Sequence, residues 1–122
     1  MLLSMQLSAQ GDLQFNRVLN LDYSTFCNNQ GLEYSAGSFT VPNNKVWKIT
    51  YSSVYSSSNQ NYAGVIKINN IIVNIGSISS PSPTKSPLWL QSGNYNVSLY
   101  SVSTTNTTIV GALSVLEFNI IP

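Results

Sequence analysis

The sequence predicts an all-β fold of two packed antiparallel sheets, and three features of the chain support that prediction. Through most of the chain, apolar and polar residues alternate with a period of two, in stretches enriched in β-branched and aromatic residues, as in half-buried strands. About seven to nine such stretches are separated by Ser-, Asn-, Gly- and Pro-rich segments, at the spacing found in sandwiches and barrels. No stretch of helix length carries an apolar repeat of 3.6 residues.

The most clearly predicted strand covers residues 46–55. Because side chains alternate across a strand, uninterrupted pairing places one set on a single face: Trp47, Ile49, Tyr51, Ser53 and Tyr55. Further strands are expected at residues 13–23, 38–42, 88–90, 95–102 and 109–122. The last of these is long enough to include a bulge near Gly111, and residues 33–36 are expected to form one helical turn at most.

Residues 63–75 are predicted to form a hairpin that turns at Asn69-Asn70. Asparagine tolerates positive φ angles better than most residues, and two-residue hairpin turns require such angles. The segment 76–87 follows and contains three prolines. Since proline fixes φ and removes a backbone donor, this segment is expected to be an extended connector.

Charge is scarce in this chain, and histidine is absent. Only 7% of the residues are Asp, Glu, Lys or Arg, against about a quarter in an ordinary soluble domain. The four acidic residues are dispersed: Asp12, Asp22, Glu33 and Glu117. Without histidine neither a Ser-His-Asp triad nor a Cys-His dyad can form, and zinc sites draw mainly on Cys and His. We therefore expect no enzymatic activity, no catalytic residue, no cofactor and no metal.

The remaining ionisable residues offer only weak candidate sites. Asp12 and Asp22 could contribute to a calcium site, but no Asp-rich loop is present. Glu33 and Glu117 could form a glycosidase pair, although Glu117 lies in a predicted strand, where a rim charge or a hydrogen-bonded structural role fits better. The five basic residues are scattered, so no nucleic-acid partner is expected. Cys27 has no disulfide partner and is predicted to be a buried small hydrophobe.

The length of the chain is that of one domain. We assign residues 11–122 to a single β-sandwich domain, which is large enough to bury a core. Residues 1–10 are expected to form an N-terminal arm. The alternative is the remnant of an export signal, because this segment is apolar and ends in small residues. No apolar run approaches the length of a membrane-spanning helix, so no membrane span is expected.

Aromatic residues give the positive indication of binding. Trp47 and Trp89 are predicted to lie in the core of the sandwich. Two tyrosines instead flank a polar loop, and the candidate surface-binding loop comprises Tyr55, Asn59, Asn61 and Tyr62. Rigid aromatic rings together with adaptable amides suit contact with a neutral partner such as a glycan.

The last predicted strand carries large apolar residues on both faces. A strand of this kind is buried on both sides, yet only one side of a sandwich strand faces the core. The net charge is +1, so copies of the chain repel one another weakly. We expect a homo-oligomer, a trimer or pentamer rather than a dimer, with Leu116, Phe118 and Ile120 as candidate interface residues. The alternatives are a neutral monomer and cover supplied by the N-terminal arm.

Four segments together resemble the small jelly-roll modules of bacteriophage fibre, decoration and spike proteins: residues 39–49 (FTVPNNKVWKI), the Asn69-Asn70 hairpin, residues 87–93 (PLWLQSG) and residues 113–120 (LSVLEFNI). The chain is also similar to short exported β-sandwich proteins of bacteria, whose mature N-termini often read like residues 11–16. The first resemblance implies a jelly-roll fold and a non-enzymatic structural subunit of the virion surface, with other virion proteins as partners. The alternative is a secreted or cell-surface carbohydrate-binding or adhesive module.

Overall fold

The structure is a computed structural model that describes residues 12–28, 32–81, 88–103 and 106–121. Eight strands run through these residues: β1 (Leu13–Cys27), β2 (Tyr34–Val41), β3 (Lys45–Ser56), β4 (Gly64–Ile68), β5 (Ile71–Gly76), β6 (Leu88–Leu90), β7 (Gly93–Ser101) and β8 (Thr107–Ile120). This described part of the chain contains no helix that could cross a membrane. The predicted arm at residues 1–10 and half of the proline-rich connector lie outside it.

The strands form two four-stranded antiparallel sheets. The first sheet has the order β1-β8-β3-β6, and the second sheet has the order β2-β7-β4-β5. The chain passes from one sheet to the other at every connection except the β4–β5 hairpin, and the first strand pairs with the last. This is the arrangement of an eight-stranded jelly roll built from two Greek keys. The predicted all-β, two-sheet sandwich of the jelly-roll type is therefore confirmed.

The hydrophobic core lies between the facing sides of the two sheets. Its fully buried members include Cys27, Ile49, Ile66, Val97, Leu99, Ile109, Leu113 and Val115. The alternation predicted along β7 is confirmed, because Val97 and Leu99 point inward and their neighbours point outward. Cys27 is confirmed as a buried residue, and burial is the main cause that raises the pKa of its thiol.

A bulge in β3 changes which of its side chains face the core. Between Ile49 and Tyr51 the pairing with β8 shifts by one residue, which leaves Thr50 as an extra residue. A bulge of this kind interrupts the alternation of side chains. Trp47 and Ile49 therefore face the core, whereas Tyr51 is 56% exposed and the next buried residue is Ser52. The prediction that the residues beyond the bulge, Tyr51, Ser53 and Tyr55, share a face with Trp47 and Ile49 is therefore wrong.

The bulge predicted near Gly111 is absent from β8. This strand pairs through Gly111 without interruption, with Tyr23 of β1 on one side and Val54 of β3 on the other. Glycine is favoured here because a Cβ atom would lie 3.0 Å from Ile66 Cδ1 and 3.1 Å from Leu99 Cδ2 across the core. The register shifts lie instead in the two strands that flank β8.

Residues 33–36, for which the sequence allowed one helical turn at most, contain no helical turn. β2 begins at Tyr34, which pairs with Leu99 of β7. Pairing with β7 supplies backbone hydrogen bonds and a half-buried surface, so tertiary context overrides a weak local preference. The short strand predicted at residues 38–42 is therefore the C-terminal part of a longer strand.

The predicted hairpin at Asn69-Asn70 is confirmed. β4 and β5 pair directly, and the φ angles of the two turn residues are 48° and 69°. Positive φ at both positions is the conformation of a type I′ turn, which matches the twist of the flanking strands. The turn is also fixed to β7, because Asn69 N donates to Asn96 O (3.0 Å) and Asn96 N donates to Asn69 Oδ1 (2.8 Å).

Substitution of Asn70 tests this turn. We expect Asn70→Val to lower the free energy of unfolding by about 1–2 kcal/mol, because a β-branched side chain is strained at positive φ. Asn70→Gly should change it by less than about 1 kcal/mol, since glycine adopts this conformation freely. Urea unfolding followed by circular dichroism measures both variants, and equal stability of the two would contradict the turn geometry.

Candidate functional site

One carboxylate is buried within the first sheet. Glu117 of β8 lies between Arg17 of β1 and Trp47 of β3 in the strand register, and its side chain is fully buried. Its Oε1 accepts hydrogen bonds from Arg17 Nε (2.9 Å) and Asn16 Nδ2 (2.6 Å). Its Oε2 accepts one from Trp47 Nε1 (2.8 Å). We call these four residues the Glu117 cluster.

A bulge in β1 builds this cluster. Phe15 pairs with Phe118 and Arg17 pairs with Glu117, so Asn16 is an extra residue in β1. A bulge sets two residues of one strand against one residue of its partner. Two consecutive side chains, those of Asn16 and Arg17, therefore reach the same carboxylate.

The hydrogen bonds define the role of Glu117. Burial raises the pKa of Glu117. The three hydrogen bonds and the positive charge of Arg17 lower it by more than burial raises it, so the pKa lies below its ordinary value. Glu117 thus has the hydrogen-bonded structural role that the sequence indicated.

Glu33 lies on the outer face of the second sheet, so the two carboxylates do not share a site. Within the described residues, no three His, Cys, Asp or Glu side chains group to hold a metal ion.

The solvent-facing side of the first sheet carries an apolar patch, which comprises Phe15, Val18, Trp89, Leu116, Phe118 and Ile120. The Phe118 ring lies 6.1 Å from the Phe15 ring in an edge-on arrangement and 5.8 Å from the Trp89 ring. Phe15, Val18 and Trp89 are 54%, 56% and 50% exposed. The structure thus places all three predicted interface residues in one patch, together with three residues that sequence reasoning missed.

Trp89 is a surface residue, whereas Trp47 is a core residue as predicted. Trp89 pairs with Lys48 of β3, and Lys48 Nζ lies 5.2 Å from the centroid of its ring. This is the distance of a cation–π contact, and Trp89 remains 50% exposed. The core position predicted for Trp89 is therefore wrong, because a strand of three residues offers no periodicity that indicates which face is buried.

The structure separates the residues of the predicted surface-binding loop. Asn59 closes a turn, because its Oδ1 accepts a hydrogen bond from Asn61 N (2.8 Å) and its carbonyl oxygen accepts one from Tyr62 N (3.0 Å). Tyr55 lines a separate cavity of about 100 Å³ together with Tyr51. Asn59, Asn61 and Tyr62 are not among the residues that line this cavity. Tyr55 therefore faces a cavity that the other three residues do not line.

A polar cleft lies on the solvent-facing side of the second sheet. It has a volume of about 730 Å³ and is lined by Glu33, Ser35, Asn69, Asn70, Asn94, Asn96, Val97 and Ser98. Because side chains alternate along β7, Asn94, Asn96 and Ser98 all point to this side. Three separate segments of the chain contribute to the lining, so no local pattern in the sequence signals the cleft.

Two opposite charges meet beside the polar cleft. Lys67 Nζ lies 3.3 Å from Glu33 Oε1, and Ser98 Oγ donates a hydrogen bond to Glu33 Oε2 at 2.5 Å. The pKa of Glu33 is lowered chiefly by the Ser98 hydrogen bond; slight burial raises it, and Lys67 lowers it further. Among the residues that the structure describes, the lining thus carries one carboxylate, which a neighbouring ammonium group balances, and its other side chains are uncharged.

Comparisons with known proteins assign no family to the chain. No protein-family model and no curated protein matches it. Among solved structures it is similar to the C-terminal CBM6 of LamC, a marine laminarinase of Zobellia galactanivorans, with 16% identity and a TM-score of 0.43 over 80% of this chain and 99% of that chain. It is also similar to a chain of the virus-like particle of the extra small virus of the prawn Macrobrachium rosenbergii, with 14% identity and a TM-score of 0.34 over 84% and 81%. At these values neither likeness carries an argument about function.

Substitution of Glu117 tests the structural role of the cluster. We expect Glu117→Gln to lower the free energy of unfolding by about 1.5–3 kcal/mol at pH 7, the range for hydrogen bonds to a charged group. The folded pKa of Glu117 lies below the unfolded value of about 4.3. Its contribution is therefore present above the unfolded pKa and is lost as the pH falls through the folded pKa. The difference between wild type and variant should shrink in acid.

Urea unfolding at pH 7 and at pH 3 measures this difference. Glu33→Gln is the matched control, because it removes an exposed carboxylate whose pKa is also lowered. Exposed ion pairs contribute little to stability, so this control should cost less than about 1 kcal/mol. A cost of Glu117→Gln that is the same at both pH values, or no greater than that of the control, would contradict the role assigned to the cluster.

Proposed function

We propose that this protein is a non-enzymatic structural subunit that assembles with further copies of itself through the apolar patch. The observation that carries the proposal is the half-exposure of Phe15, Val18 and Trp89 on a sheet face where polar residues are the rule. Contiguous exposed apolar surface of this kind marks sites of interaction. Aromatic side chains in particular are enriched among the residues that dominate the energy of protein interfaces.

A second copy of the chain is the partner that suits this patch. None of the six patch residues is charged; Lys48 lies on the same face between Leu116 and Trp89, and its Nζ is 5.2 Å from the centroid of the Trp89 ring. The net charge of the chain is +1, so two copies approach each other with little repulsion. Closed cyclic symmetry covers such a patch on every copy without open-ended growth. We therefore propose a trimer or pentamer.

The proposed place of this oligomer is the surface of a virion, as a capsid decoration, fibre or spike subunit in contact with other virion proteins. Eight-stranded jelly rolls are used in viral capsids and also in lectins, so this part of the proposal is an analogy at the level of fold. It is supported by the resemblance of the sequence to bacteriophage jelly-roll modules. Isolation of the chain from particles, by mass spectrometry of purified virions, is the direct test of location.

Substitution of Phe15 tests the assembly surface. Phe15→Ser is expected to weaken self-association about 30-fold, because truncation of an aromatic residue that dominates an interface costs about 2 kcal/mol. Phe26→Ser is the matched control, since Phe26 lies on the same face of the same strand and is 56% exposed, but at the far end. Native mass spectrometry and sedimentation velocity at micromolar concentration measure the oligomeric state of each chain.

Three outcomes would overturn the assembly proposal. The first is a wild-type chain that stays monomeric at every concentration. The second is an oligomer that survives Phe15→Ser unchanged. The third is equal loss of assembly in Phe15→Ser and Phe26→Ser, which would place the contact elsewhere on the sheet.

A second candidate function is a secreted or cell-surface module that binds carbohydrate. The observation that favours it is the polar cleft, whose lining is rich in amide and hydroxyl groups. Small-molecule sites are concave and use a few convergent polar groups to fix orientation. This function and the structural one involve opposite faces of the sandwich, so a single chain can serve both.

A further inference from the structure

We infer that the polar cleft is a binding site for a neutral saccharide, held by hydrogen bonds from the side chains of Asn94 and Asn96 on β7. This inference rests on the second candidate function and names its site and its class of ligand. Both residues lie at outward-facing positions of the same strand, two residues apart. Their amides therefore stand side by side, about 7 Å apart along the strand.

The free hydrogen-bonding groups of the cleft match the hydroxyls of a sugar. Asn94 Oδ1 accepts a hydrogen bond from Thr40 Oγ1 (2.8 Å), which orients the amide and leaves its Nδ2 available to donate. Asn69 Oδ1 likewise accepts a hydrogen bond, from Asn96 N, and this bond orients the Asn69 amide. Within the described residues, the side chains of Asn70 and Asn96 make no hydrogen bond. Each amide offers both a donor and an acceptor, as each sugar hydroxyl does.

The charge of the cleft favours a neutral ligand. Glu33 is balanced by Lys67 at 3.3 Å and keeps lone pairs that can accept from a hydroxyl. A phosphate or sulfate group in the cleft would meet this carboxylate, and a cation would compete with Lys67 for it. Because Glu33 and Lys67 balance each other, the cleft has no net charge that would attract an anion or a cation.

The choice of asparagine at these strand positions also needs an explanation. Asparagine is disfavoured in strands, where β-branched and aromatic residues are preferred. On the neighbouring strand β2, the outward residues that pair with Asn96 and Asn94 are Ser38 and Thr40. Asn94 and Asn96 thus bear a cost in strand propensity, and a binding role for these two side chains would offset it.

Among the described residues, the lining contains no aromatic side chain on which a sugar ring could stack, so a single cleft should bind weakly. An oligomer presents several clefts, and joint engagement of a repeated glycan strengthens binding by about 100-fold or more. The apolar patch and the polar cleft lie on opposite outer faces of the sandwich, so assembly through the patch leaves the clefts exposed.

The test uses the full chain on an array of neutral hexose oligosaccharides, with sialylated and sulfated glycans as further arms. The strongest neutral hit is then titrated against wild type, Asn96→Ala and Asn94→Ala. Each substitution is expected to weaken binding about tenfold, the equivalent of one lost hydrogen bond. Asn20→Ala, an exposed asparagine on the opposite sheet, is the matched control and should bind as wild type does. Thermal unfolding checks that every variant is folded.

The outcomes separate this inference from the functions on which it depends. Neutral glycan binding that resists both cleft substitutions but is lost in Tyr55→Ala overturns the cleft and keeps the carbohydrate-binding function. Binding restricted to sialylated or sulfated glycans overturns the neutral class of ligand. Binding of no glycan overturns both the inference and the second candidate function. The assembly proposal is judged separately, by the oligomeric state of the Phe15→Ser variant.

Discussion

The arrangement of the first sheet depends on how one buried carboxylate, that of Glu117, is hydrogen-bonded. β8 is the strand with which both β1 and β3 pair, and the inward residues that precede Glu117 on it, Leu113 and Val115, are apolar. An ionised group in such surroundings is costly unless it is paired and hydrogen-bonded. Arg17 and Trp47, which are 100 and 70 positions away in the chain, meet that need. The register of β1, β8 and β3 is therefore fixed by the one alignment that satisfies the carboxylate.

The same requirement shapes the outer surface of the sheet. The extra residue Asn16 interrupts the alternation of β1, so that Arg17 pairs with Glu117, with its side chain 56% exposed, and Val18 faces outward. In a regular strand, Phe15 and Val18 would lie on opposite faces of the sheet. With the bulge, both lie outside, and Phe15 stands beside Phe118. The Glu117 cluster and the apolar patch thus both depend on a single bulge.

Much of the fold could be predicted because the signals are local. The Asn69-Asn70 turn requires only residues that tolerate positive φ, and the buried face of β7 follows from strict alternation. The bulges at Asn16 and Thr50 could not be predicted, because they arise where β1 and β3 pair with β8, a strand far away in the chain. For the same reason the sequence indicated the apolar residues of β8 but not Trp89, whose exposure depends on how β6 pairs. The polar cleft was missed entirely, since its lining comes from three separate segments.

The central claim is that the outer face of the first sheet is covered when copies of the chain assemble. Acrylamide quenching of tryptophan fluorescence across a dilution series tests it most directly, because Trp47 is 4% exposed and Trp89 is 50% exposed. If the claim is right, one tryptophan is accessible to the quencher in dilute protein, and the accessible fraction falls toward zero as the concentration rises. An accessible fraction that stays constant over the whole series would contradict it.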